Sequence, residues 1–144
     1  MERAAGRSLL RDPVTAGLLV YGLYQLALGL VMTFAAGWFF RNVGPFGIRN
    51  DHYIGDVGSF YLASAFGVGM AAVRPSWRVP ILTVGAVWYG LHALNHLFDI
   101  GEARSTARGV IDTVLLTLGA ILLAWLANVA QRERRPERLA RPPR

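Results

Sequence analysis

The 144-residue chain contains three histidines, and two of them, His92 and His96 in "HALNHLFDI", stand one helical turn apart. With Asn95 and Asp99 they follow an i, i+3, i+4, i+7 spacing, so a helix over this stretch puts all four on one face. His52 precedes Asp56 by the same four-residue step, and Asp112 completes the set of ionisable side chains in or beside apolar stretches. Two imidazoles at i, i+4 can share one metal ion. His92 and Asp99 are about 10 Å apart along a helix, so one ion cannot take both. Two or three histidines with Asp56 or Asp112 would suit zinc first, then iron, manganese or copper. If water held an open metal position, Asp56 or Asp99 would serve as general base and Ser59 would orient a substrate, which is the chemistry of a metal-dependent membrane hydrolase.

The same residues admit a plainer role. Asp56 with His92 or His96, and Asp112 with His92 or Arg108, would form a hydrogen-bonded network that fastens helices together, and such networks also gather perturbed groups. Haem fits poorly, because His92 and His96 share a helix and only His52 could ligate from across. With no cysteine there is no disulfide, thiolate nucleophile or Cys-ligated metal.

The elements that must position these groups read as membrane spans. A hydrophobic content of 53% and a mean hydropathy of +0.36 are too apolar for an ordinary soluble domain of this size. Four segments meet the length of about 20 mainly apolar residues that a spanning helix needs: 14–40, 53–73, 79–98 and 109–130. The first is too long and too aromatic at its end, "WFF", for a cleaved signal peptide. The expected fold is therefore all-α, a four-transmembrane-helix bundle over 14–130, with a short segment 1–13 before it and a basic, disordered tail 131–144 after it.

The net charge of +6 lies in fifteen arginines with no lysine. Arg3, Arg7, Arg11, Arg74, Arg78 and the tail arginines outnumber Arg41, Arg49, Arg104 and Arg108 on the alternate loops, which is a topology signal rather than a nucleic-acid footprint. Both termini should be cytoplasmic (N-in/C-in). Every histidine then falls on the outer side, with Asp51, Asp56, Asp99, Glu102 and Asp112.

Asn50 or Asp51 should cap the second helix. Pro75 should end the path between helices and Pro80 open the third, and Ser105 or Thr106 should begin the fourth. Gly55, Ser59, Ala63, Gly67 and Ala71 recur every fourth residue, a stripe where another helix can approach closely. Trp38 and Trp77 fit interfacial aromatic belts. Transport fits poorly, since the inner half offers only Gln25, Ser64, Thr83 and Thr117 for a relay.

The stretch "GDVGSFYLASAFGVGMAAVRPSWRVPILTVGAVWYGLHALNHLFDIGEA" resembles small four-helix bacterial membrane proteins of the DoxX-like and DUF4345-like kind. Asp56, Gly58, Arg74, Pro75 and the segment from His92 to Asp99 carry the resemblance. It implies a multi-pass protein of the bacterial cytoplasmic membrane and assigns no catalytic residue; the arginine-rich, lysine-free composition agrees with a high-GC bacterial source. The expected function is binding of a divalent metal or small ligand by the outward-facing His/Asp cluster, in contact with the lipid bilayer and no nucleic acid. The competing expectation is a structural accessory subunit that docks onto a larger membrane complex or a second copy.

Overall fold

The computed structural model describes residues 12–139, with side chains to residue 134. It is all-helical: α1 (Pro13–Phe34), α2 (Ala36–Asn42), α3 (Asp51–Val73), α4 (Pro75–Phe98), a single 3-10 turn (Ile100–Glu102) and α5 (Thr106–Leu139). The one extended pairing among the described residues is an isolated antiparallel bridge between Phe46 and Ala103. α1, α3 and α5 are long and apolar enough to cross a membrane. α4, at 24 residues, has the length, but His92, Asn95, His96 and Arg78 dilute its apolar character.

Local sequence chemistry sets the helix ends. Asp12 caps α1, accepting from the Val14 N–H at 3.0 Å, with Pro13 at the first position, where no N–H is needed. Asn50 caps α3 by accepting from the His52 and Tyr53 N–H groups. Arg74 alone separates α3 from α4. Pro75, rather than Pro80, opens α4, because a missing N–H is harmless at a first helical position; Pro80 lies inside the helix and forfeits one backbone hydrogen bond. The Ser105 hydroxyl accepts from the Arg108 N–H at the start of α5.

Two further boundaries differ from the sequence expectation. The first span does not run to Phe40: the chain breaks at Ala35, with φ −141°, and restarts as α2. α5 continues past Ala130 through the basic stretch to Leu139, so helix replaces the expected coil over most of the tail. Residues 140–144 and 1–11 lie outside the described part.

α1 packs along α3 and α4 along α5, while α1 and α5 touch only sparsely. The loops 43–50 and 99–105, at the end of the bundle termed outer, meet through the Phe46–Ala103 bridge and the hydrogen bond from the Gly47 N–H to the Glu102 carbonyl. At the opposite, inner end, the Arg134 guanidinium donates to the Pro75 carbonyl. There Arg78 also reaches Asp12 at 3.1 Å and the Thr15 hydroxyl at 2.9 Å. The core, with Val14, Leu18, Val68, Ala71, Leu82, Leu123 and Leu126, fills this inner half. The outer half is left open between α1 and α5. Leu23, Phe66, Val84, Leu118 and Ile121 are among the many large apolar side chains that face outward, as on a lipid-facing surface.

The small-residue stripe on α3 does not form one seam. Ala71 and Gly67 are buried, Gly67 against Ile81, but Ser59 and Ala63 are exposed and a Cβ on Gly55 would meet nothing within 4 Å. A four-residue step overshoots the 3.6-residue turn by about 40°, so the stripe wraps about 160° around the helix from end to end. The close approach of α1 to α3 is made instead at Gly29, against Leu62, and at Gly58, against Met32 and Thr33.

The inner clamp makes stability depend on pH. Burial raises the Asp12 carboxyl pKa, but donation from Thr15, Val14 and Arg78 outweighs it and holds the group below the usual carboxylate range. A folded pKa below the unfolded one stabilises the protein above the unfolded value, about 4, and the gain disappears as pH falls through the folded value. Thermal denaturation at pH 7 and pH 3 should therefore show a larger loss for wild type than for Asp12→Asn. Equal losses would remove the clamp from the stability balance.

Candidate functional site

A cavity of about 760 Å³ lies between α1 and α5 and reaches from the outer end into the inner half. Val20, Tyr21, Tyr24, Leu28 and Met32 line it from α1, and Leu115, Leu116, Leu122, Leu123 and Leu126 from α5. Along α1 the lining runs from Ala16 to Met32, about 24 Å of helix, so the space is elongated along the bundle. Phe39, Val43 and Phe46, from α2 and the loop after it, form its outer end. The break at Ala35 explains this hood: it turns the chain, so that aromatic residues which would have continued α1 instead join the cavity wall.

The imidazole and charged groups of the lining gather towards the outer end. His92 and His96 lie on the cavity wall with their Nε2 atoms 3.0 Å apart. The edge of Trp88 packs against His92 at 5.7 Å, and Phe46 against His96 at 4.4 Å between ring centroids. The Arg108 Nε–H donates to both Asp112 carboxylate oxygens, at 2.9 and 3.1 Å, and Nη2 donates to the Val43 carbonyl at 2.7 Å. That last bond ties α5 to the hood. One turn or more deeper stand Tyr24, Tyr61 and Tyr89, with Tyr21 below them and its ring 5.9 Å from that of Tyr89. Gln25 is fully buried and donates to the Tyr21 hydroxyl at 3.1 Å.

Of the six site residues expected from sequence, His92, His96 and Asp112 share this cavity. His52 and Asp56 pair with each other at 3.5 Å, with side chains 81% and 63% exposed, so Asp56 does not meet His92 or His96. Asp99 is the cap residue at the end of α4 and is not part of the lining. Asp112 pairs with Arg108 rather than with a histidine. His52→Ala should accordingly change stability by no more than about 0.5 kcal/mol, as exposed substitutions do; a drop of several degrees in melting temperature would contradict the exposed placement.

For metal chemistry the donor set is thin. The two Nε2 atoms are close enough to hold one ion, but no group of three or more His, Cys, Asp or Glu side chains able to do so occurs among the described residues. Neither His92 Nδ1 nor His96 Nδ1, both buried, has a hydrogen-bond partner, whereas metal-ligating histidines are normally oriented by one.

The tyrosines were absent from the expected site, and Arg108 was expected only as a partner of Asp112. Their signals were present: Arg108 and Asp112 stand at i, i+4, and the tyrosines lie within apolar stretches rather than at the ends, where belts form. The lining contributed by α1 carries no signal, since Val20, Leu28 and Met32 read as ordinary span residues.

Compared with known protein families, with curated proteins and with solved structures, the chain has no match.

Proposed function

We propose that this chain is a four-span membrane protein that binds an elongated small molecule from the membrane in the cavity between α1 and α5, with the polar end of the molecule at His92, His96, Arg108 and Asp112. The observation that carries this reading is the asymmetry of the cavity: a largely apolar trough about 24 Å long whose imidazole and charged side chains all lie towards one end. Ligand pockets combine predominantly apolar walls with a few convergent polar groups in this way.

Connectivity supports the span count. α4 leaves the inner end of α3 through Arg74 and delivers the chain to the outer start of α5, so if α3 and α5 both cross, α4 crosses between them. The arginine distribution supports cytoplasmic termini, and with them an outward-facing polar end for the cavity. The likeness to DoxX-like and DUF4345-like proteins remains a proposal about fold and membrane location, including the bacterial cytoplasmic membrane. A divalent metal is the less favoured occupant, for want of a third ligand. The accessory-subunit reading draws on no feature that lipid contact does not already explain.

Native mass spectrometry of protein extracted in a mild detergent tests the proposal. Val20→Trp/Leu122→Trp fills the trough from two exposed lining positions and leaves the buried core intact. Wild type should carry a non-protein mass at near-stoichiometric occupancy, reduced about tenfold or more in the double variant, with melting temperatures within a few degrees of each other. Equal occupancy in both proteins, or none in either, would sink the proposal.

A further inference from the structure

We infer that the molecule held in this cavity is an uncharged lipid bearing a hydroxyl head, in chemical class a long-chain alcohol; the inference rests on the cavity being a ligand site. Charge balance is the first argument. The one cation at the polar end, Arg108, is matched by Asp112 at 2.9 Å and held by the Val43 carbonyl, so the pair offers no net charge to an ionic head. A carboxylate, phosphate or ammonium brought there would be desolvated without a counter-charge, a cost of several kcal/mol per ion. The rest of the trough, from the tyrosines inward to Leu126, offers no charge at all.

Hydrogen bonding narrows the class further. When two neutral imidazoles face each other through Nε2 at 3.0 Å, one must carry the proton and the other present a lone pair. At 3.0 Å the two Nε2 atoms already hydrogen-bond each other, so a hydroxyl engages them by parting the rings; it then accepts from the first and donates to the second, and both Nε2 atoms stay satisfied. A ketone only accepts, leaving the bare Nε2 without a donor, and an unsatisfied buried polar atom is penalised. The approach route makes the occupant a lipid. Phe39, Val43 and Phe46 cover the outer end with apolar surface, while the sparse contact between α1 and α5 leaves the side of the bundle open where acyl chains are the solvent.

The test uses the full chain in phosphatidylcholine nanodiscs and a diazirine-bearing analogue of 1-hexadecanol as photoprobe, with labelled residues mapped by peptide mass spectrometry. Unlabelled 1-hexadecanol, a hexadecyl methyl ketone, hexadecanoate, hexadecyl phosphate and hexadecyltrimethylammonium compete in parallel. Labelling should fall on lining residues of α1 and α5, and the alcohol should compete at concentrations at least tenfold lower than any of the others. In His92→Phe/His96→Phe, which keeps ring volume and removes the nitrogens, that advantage should shrink below threefold while labelling stays in the trough. An ionic competitor or the ketone matching the alcohol, or an alcohol preference that survives in the double variant, overturns the head-group inference and leaves the cavity reading intact. Labelling confined to the outer surface, or absent, overturns both.

Discussion

Gly58→Val should destabilise the protein by about 3 kcal/mol and Gly55→Val, one turn away on the same helix, by no more than about 1 kcal/mol. The difference lies in what a Cβ meets. At Gly58 it would come within 2.9 Å of Met32 Cβ and Thr33 Oγ1 and 3.2 Å of the Thr33 backbone nitrogen. Met32 Cβ and the Thr33 nitrogen are fixed to the α1 backbone, so no rotamer change relieves the clash and α1 must move away from α3. At Gly55 nothing lies within 4 Å, and the substitution exchanges glycine's poor helix propensity for valine's moderate one. Thermal denaturation of both variants in the same detergent decides the matter. A destabilised Gly55 variant beside an unperturbed Gly58 variant would mean that α1 lies against the other face of α3.

That pair of glycines also shows how far the sequence could be read. The presence of small residues on α3 was legible, and so were its cap at Asn50 and the start of α5 near Ser105, because each depends on chemistry within a few residues; the turn at Arg74 is tighter than expected, since Pro75 and not Pro80 opens α4. Which small residues carry the seam was not legible. Counting by fours selects Gly55, Ser59 and Ala63, yet the drift of that count around the helix turns them outward, and the contact passes to Gly58, which belongs to a different row. Helix rotation is decided by the partner, and the partner is distant in sequence: Gly58 meets Met32 and Thr33.

The candidate site divides in the same way. The i, i+4 relation of His92 and His96 is local, and the structure places both rings together on one wall. The expected convergence of His52 and Asp56 with them needed a rotation of α3 that the α1 contact does not permit. The break at Ala35 was the least legible feature, because "TFAAGWFF" contains no proline and its apolar run continues without interruption. The chain leaves the helix there to bring Val43 to Arg108 and Phe46 to His96, contacts across 65 and 50 positions of sequence.

Arg108→Met should destabilise the protein by about 2–3 kcal/mol, more than Asp112→Met, which should cost about 1 kcal/mol or less. Either substitution breaks the same ion pair, and the asymmetry comes from what is left behind. Without Arg108, the Asp112 carboxylate, whose side chain is only 17% exposed, is left on a cavity wall of leucine and tyrosine and has lost its one donor, the Arg108 Nε–H that both its oxygens share. The Val43 carbonyl loses its partner in the same step, which loosens the hood over the outer end. Without Asp112, the guanidinium still donates to Val43, and its 39% exposed side chain can turn its charge towards the outer interface. The 2–3 kcal/mol figure lies below the 3–5 kcal/mol of a fully buried pair because Arg108 is already partly solvated. Combining the two substitutions removes the stranded charge, so the double variant should be more stable than Arg108→Met alone, a sign that additive contact losses cannot produce. Because the double variant is as neutral at the polar end as the wild type, it should also keep the selection against charged amphiphiles. Arg108→Met alone leaves a net negative charge there and should shift that selection towards hexadecyltrimethylammonium. Stability and ligand selection thus read the same two side chains independently: the first reports whether the charge is stranded, the second whether the cavity senses it.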